Sequence, residues 1–239
     1  MDAAATALEL AEISKQFVGL SVLRDVRLKV NFGDRLGIIG QNGAGKSTML
    51  RLIGGWIKPD NGLLRMFGKD ITTWPIFRRY AFGLREVPQF PEISSELTGH
   101  ETIAVGQLAL AFSQGHFGSN LSNIQGNDIT NITERLVSES DLSSHLDSLS
   151  FGSQKMIAIA AVLASSPRIL LLDEPTAGLD KTQRDNLLRV LVELEERCAV
   201  IIVEHDLSFL YNACNRLVEL RDGVLITVRD DRFNNISRE

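Results

Sequence analysis

One run constrains this chain more than any other: Gly40-Gln41-Asn42-Gly43-Ala44-Gly45-Lys46-Ser47-Thr48. It matches G-x-x-x-x-G-K-[ST], a loop whose glycines let successive backbone N–H groups wrap phosphate oxygens at a helix N-terminus. Such a loop needs a strand before it and a helix after it, and the flanking sequence supplies both. Gly33-Asp34 makes a turn ahead of apolar residues 36–39, which read as a strand, and residues 46–53 have helical character. The pattern predicts that Lys46 reaches the β- and γ-phosphates of ATP and that Ser47 ligates Mg²⁺.

The order of the other segments extends this unit into an α/β fold. Residues 8–13 and 22–30 alternate apolar and polar side chains and read as strands. Pro59-Asp60-Asn61-Gly62 breaks the chain before a short strand at 63–67. After Phe151 the pattern runs helix (154–163), strand (169–172), helix (181–197), strand (200–203), which implies a mostly parallel sheet covered by helices. Two short strands are expected around Arg221-Asp222-Gly223. Between Pro91 and Asp147 helical stretches such as 101–112 flank a Ser/Asn/Gly-rich segment, 113–131, so a helical subdomain of about 91–165 with a long loop is expected. The whole of 1–239 is expected to be one domain.

A second constellation follows the buried run 169–172, where Asp173-Glu174 stand at a strand end. Open α/β sheets present their ligand-binding groups there. Asp173 is placed to hold Mg²⁺ through water, and Glu174 to polarise the water that attacks the γ-phosphate. Two carboxylates before Pro175 also suit an acidic helix cap. The phosphate loop in the same chain favours the catalytic reading.

Charge and cysteine content exclude other classes. A formal net charge of −5 argues against sequence-independent nucleic-acid binding, which needs a basic surplus. Cys198 and Cys214 follow no metal-ligand spacing and read as free cytosolic thiols. The start MDAAATALEL lacks the basic region of a secretory leader. No apolar run approaches the ~18 residues of a membrane span, so membrane association is expected to go through a partner.

Leu149-Ser150-Phe151-Gly152-Ser153-Gln154-Lys155 lies upstream of Asp173 and resembles the LSGGQ signature of the ABC ATPases, with Phe151 in place of a glycine and Ser153 in place of the glutamine. Alone, the run also reads as an ordinary helix start. The resemblance covers nearly the whole chain and brings further matches in order: Gln89 after a strand, Ala177-Gly178-Leu179-Asp180 after the carboxylates, and Glu204-His205-Asp206 after the last core strand. It implies the P-loop ABC ATPase fold, a mostly parallel core sheet with an antiparallel N-terminal β-subdomain and a helical subdomain. It also implies that His205 hydrogen-bonds the γ-phosphate, that Gln89 serves Mg²⁺ or the attacking water and senses the membrane partner, and that Phe17 stacks on adenine. Ser150 and the Gly152 N–H would hold the γ-phosphate of a neighbouring cassette, and Asp180 belongs to the same nucleotide site. As a core aromatic, Phe17 has an ordinary alternative. His100, His116 and His145 match nothing and read as surface or packing residues.

The implied protein is an ATP-hydrolysing subunit at the cytoplasmic face of the membrane, peripheral. Its partners would be transmembrane permease subunits, a second cassette in a homo- or heterodimer and, for an importer, a solute-binding protein, with no nucleic acid. Phe151 and Val203-Glu204-His205-Asp206 look like the branched-chain amino-acid and urea importers, which makes import of amino acids or related small solutes the first expectation. The run Gly33-Asp34-Arg35-Leu36-Gly37 also resembles exporters of polysaccharide or lipid. A soluble ABC ATPase is disfavoured by the single cassette and the lack of a heptad run, and a P-loop kinase by the signature and His205.

Overall fold

The computed structural model of the chain describes residues 5–113, 127–194 and 198–228. β1 (Thr6–Phe17) and β2 (Leu20–Asn31) pair antiparallel, and Leu8, Leu10, Leu28 and Val30 turn inward at every second position, the period of a half-buried strand. β4 (Asn61–Met66) and β5 (Lys69–Asp70) complete a four-stranded antiparallel sheet, order β2-β1-β4-β5.

The second sheet contains β3 (Arg35–Ile39), β6 (Leu84–Val87), β7 (Ile169–Asp173), β8 (Ala199–Val203), β9 (Arg216–Arg221) and β10 (Val224–Thr227) in the order β10-β9-β3-β8-β7-β6. All its pairings are parallel except that of β9 with β10. Ile169 and Leu171 join Leu36, Ile38, Ile201 and Val203 in one core, while Leu170 and Leu172 join Val200 and Ile202 in another. Burial on both faces is why these strands are continuous apolar runs instead of alternating ones. The expected P-loop fold with an antiparallel N-terminal sheet is therefore present.

The helices are α1 (Lys46–Gly54), α2 (Ile76–Ala81), α3 (Gly99–Ser113), α4 (Asn127–Leu136), α5 (Glu139–Ser143), α6 (Phe151–Ala164), α7 (Lys181–Glu193) and α8 (Leu207–Ala213). Buried Arg79 donates to the carbonyl oxygens of Leu52 and Ile53 at 2.6 and 2.8 Å, carbonyls that the end of α1 leaves unpaired. α3 crosses α6 so closely that a Cβ at Gly106 would lie 1.9 Å from the Ala161 oxygen.

Three boundaries differ from the sequence expectation. The segment expected as loop, 113–131, is helical at both ends, since α3 runs through Ser113 and α4 begins at Asn127. Its polar composition hides Ile129, Ile132 and Leu136, spaced at three and four residues as in a helix. Residues 114–126, with His116, lie outside the described residues. α6 starts earlier than expected because Ser150 caps it, accepting from the Ser153 N–H at 3.1 Å. α7 ends at Glu193, and 195–197 lie outside the described residues.

Candidate active site

The loop between β3 and α1 excludes side chains at two points. Gly40 has φ 152°, and a Cβ there would lie 2.3 Å from the Leu220 carbonyl oxygen; Gly45 caps α1 at φ 104°. Gln41, Asn42, Gly43 and Ser47 are exposed, Ala44 and Thr48 half-buried, so the turn opens to solvent at the helix N-terminus. Buried Lys46 folds back across it, its Nζ donating to the oxygens of Gly40 at 2.8 Å and Gln41 at 3.1 Å. Burial pulls the lysine below its usual pKa, while the charges of Glu174 and Asp173 act the other way.

β7 delivers its carboxylates beside this loop. Asp173 pairs in register with Val203 on β8. Burial and the charge of Glu174 push its pKa up; a hydrogen bond from the Ser47 hydroxyl and the charges of Lys46 and Lys155 pull it down. Ser47 and Asp173 form a pair of hard oxygen donors, which fits Mg²⁺, an ion that takes few protein ligands and fills its octahedron with phosphate oxygens and water. These two residues would hold it, and its charge would neutralise the phosphates.

Glu174 is where three separate connections meet. Its Oε2 accepts from Gln89 Nε2, and its Oε1 faces His205 Nε2 at 3.1 Å. The residue sits at φ 46°, a left-handed conformation that is strained for a residue with a side chain, and its N–H donates to Val203 O at 2.8 Å. His205 is followed by Asp206, which caps α8 and pairs with Arg184 at 2.6 Å. The residues brought together are thus Gly40 to Thr48, Gln89, Asp173, Glu174 and His205.

Ser150, Gly152 and Asp180 meet elsewhere. A Cβ at Gly152 would lie 2.6 Å from both Gln183 Oε1 and Gly178 O. Asp180 accepts from the Gln183 N–H at 2.8 Å in a capping box that starts α7. Ser150 bonds Ser153, not the phosphate loop. Phe17, at the end of β1, is 43% exposed with Lys15 Nζ 5.3 Å from its ring centroid. His100 and His145 sit on the surface against Glu139 and the Glu96 carbonyl.

Two buried charges beside the site carried no role in the sequence reading. One is Lys155, on α6. The other is Glu204, which accepts from the Thr176 hydroxyl. Burial pushes its carboxyl up to about 7; the His205 backbone N–H and Lys155 act against that, and Glu174 and Asp206 with it. The native chain therefore holds this proton more tightly than an unfolded chain, where the ordinary value is 4.5. The stability that Glu204 contributes is present at acidic pH and is lost as pH rises from about 4.5 to about 7. In Glu204→Gln the thermal midpoint is expected to change less than the wild-type midpoint between pH 5 and 7.5, measured by calorimetry.

A family model described as ABC transporter matches residues 23–177, a span that holds the loop, Gln89, Ser150 to Lys155 and both carboxylates. The chain belongs to the ABC transporter family. This ABC cassette is similar to the lipopolysaccharide export system ATP-binding protein LptB of Acidithiobacillus ferridurans, 31% identical over 225 residues, 92% of this chain and 88% of LptB. It is 28% identical over 225 residues to the high-affinity branched-chain amino acid transport ATP-binding protein BraF of Pseudomonas aeruginosa, covering 90% and 88%. It is also 28% identical over 217 residues to the ribose import ATP-binding protein RbsA of Clostridium perfringens, but spans only 43% of that protein. Among solved structures it is similar to an ATP-binding subunit of an ABC transporter (26% identity, TM-score 0.81, 98% and 95% covered) and to a bacterial ABC transporter cassette described as dimeric (25%, 0.75, 93% and 99%). The cassette is an ATPase coupled to transport. These relatives do not single out the branched-chain amino-acid group, because LptB matches over as much of the chain.

Proposed function

We propose that this cassette powers a membrane permease as one half of an ATP-driven dimer. The observation that carries the reading is the grip of Gln89 and His205 on Glu174 at the mouth of the phosphate loop. Gln89 and His205 between them engage both oxygens of the base. Entry of ATP draws the Lys46 ammonium from Gly40 and Gln41 onto the β- and γ-phosphates, while the N–H groups of 40–48 surround them. His205 then turns to the γ-phosphate and Gln89 to the attacking water, which frees Glu174 to accept the proton as the water oxygen bonds phosphorus and the bond to the β-phosphate oxygen breaks.

The second cassette completes the site with Ser150, the Gly152 N–H and Asp180, while Phe17 stacks on adenine. The contacts of Ser150, which stay within its own helix cap, support a role toward a neighbour. ATP drives closure because the closed pair binds it better than the open one.

The membrane partner docks in the groove of about 1090 Å³ beside Gln89, whose lining includes Trp56, Tyr80, Glu86, Phe90 and Val105. Phe90 is 67% exposed there, the kind of aromatic that anchors a partner. Among the described residues no helix is long and apolar enough to cross a membrane. We place the cassette at the cytoplasmic face, peripheral, held by this groove. The Phe90→Ala chain is expected to lose co-purification with its permease subunits by roughly tenfold or more, with unchanged ATP affinity in the isolated chain. Equal recovery of the complex would refute this docking site.

We take import of amino acids or related small solutes as the first reading of the cargo, on Phe151, the 203–206 run and the likeness to BraF. The likeness to LptB favours a second reading, export of a lipid-linked polysaccharide. Purified with its membrane subunits, the complex is expected to raise its ATPase rate with amino acids and a solute-binding protein. Stimulation by lipopolysaccharide instead would decide for export.

A further inference from the structure

Lys155 is fully buried, yet its ammonium group meets backbone: it donates to the carbonyl oxygens of Glu174 at 2.5 Å and Ala177 at 3.4 Å. Those two carbonyls bracket the turn after the catalytic strand, which is closed by the Ala177 N–H on Glu174 O at 3.2 Å. Within the turn, Thr176 donates to buried Glu204 at the end of β8. The turn is thus clamped by a cation from α6 and a buried carboxyl group from β8. Such a clamp has work to do, because Glu174 stands at φ 46°, a backbone state that persists only where its surroundings hold it.

A buried ammonium is costly unless charge or hydrogen bonds compensate it. Here Glu204, Glu174 and Asp173 supply the opposite charge. One helical turn earlier, the Phe151 ring packs on Gly178, where a Cβ would come within 2.5 Å of it, and its centroid lies 5.7 Å from Lys155 Nζ. One face of α6 therefore grips the segment from Glu174 to Gly178, and the same helix opens on Ser150.

We propose that Lys155 is a positioning residue for ATP hydrolysis, fixing the Glu174 and Ala177 carbonyls so that the Glu174 carboxylate is aimed at the attacking water. The proposal rests on the reading of Glu174 as the base. It makes α6 the element that joins two events: engagement of Ser150 with a neighbour's nucleotide, and the aim of Glu174 at its own.

The test is steady-state Mg-ATP hydrolysis and nucleotide affinity of the purified full chain for wild type, Glu174→Gln, Lys155→Met and Lys155→Gln. Methionine keeps the apolar stem and removes the donors. Its kcat is expected to fall about 10- to 100-fold, the scale of a small misplacement of a reacting group, with KM and nucleotide affinity within about twofold. Glutamine restores N–H donors but is shorter and uncharged, so its kcat is expected about three- to tenfold below wild type. It decides the matter where the methionine variant does not fold. Either variant at the wild-type kcat, or a loss confined to KM, overturns the role of Lys155. Turnover retained in Glu174→Gln overturns the base itself, whereas turnover lost there but kept in both lysine variants removes only the clamp.

Discussion

Glu174→Gln is expected to lower ATP turnover about 10²–10⁴-fold, the range that a positioned general base supplies, while Mg-ATP still binds and the closed dimer accumulates. The substitution is nearly isosteric, and its backbone is held by the Val203 carbonyl and by Lys155, whose ammonium keeps the charges of Glu204 and Asp173 nearby. What disappears is the acceptor for the water proton. The binding apparatus remains, since the N–H groups of 40–48 make no use of the carboxylate and Lys46 keeps the charge of Asp173 beside it. The metal side is not weakened, because the charge of Glu174 is among the causes that push the Asp173 pKa up. Its removal favours the ionised form that a divalent cation needs. Phosphate release gives the rate, and light scattering with and without ATP gives the dimer. Wild-type turnover would remove Glu174 from the reaction, and a monomer in saturating ATP would remove dimerisation from the function.

Much of this site could be read from sequence because backbone geometry dictates residue type. Gly40 and Gly45 are required by a nearby carbonyl and by positive φ, and the run from Ile169 to Leu172 is apolar throughout because both its faces are covered. Other features arise only when distant segments meet. Lys155 reaches a carbonyl 19 residues away and Thr176 a carboxylate 28 residues away, and neither spacing carries a periodic signal. A lysine heading the apolar stretch 156–164 was the one trace available. Composition misled at Asn127, where a polar sequence hides a helical repeat. It was also mute about Phe90 and Phe151, whose rings lie 5.8 Å apart in a tilted, solvent-facing pair, where aromatic content alone would place them in the core. Asp180 has a local role whether or not a nucleotide is present, because it closes the capping box of α7.

Lys46→Ala acts a step before Glu174→Gln, and the pair separates binding from chemistry. A charge-assisted hydrogen bond contributes about 1.5–3 kcal/mol, so losing the ammonium is expected to weaken Mg-ATP binding roughly 10- to 150-fold. The effect is compounded at the metal, because Lys46 is one of the charges that lower the Asp173 pKa. The fold is expected to survive, since α1 keeps Gly45 at its start and the buried Met49, Leu52 and Ile53 on its core face. Stability in the absence of nucleotide therefore changes little, and stabilisation by nucleotide changes a great deal. At a concentration 100 times the wild-type Kd, ligand contributes about 2.7 kcal/mol; a 100-fold weaker variant retains about 0.4 kcal/mol. Thermal unfolding with and without Mg-ATP reads this directly. Glu174→Gln keeps the ligand-induced rise and loses turnover, while Lys46→Ala loses both. An undiminished rise in Lys46→Ala would mean that the Lys46 ammonium does not grip the phosphates, and its assigned role would fall.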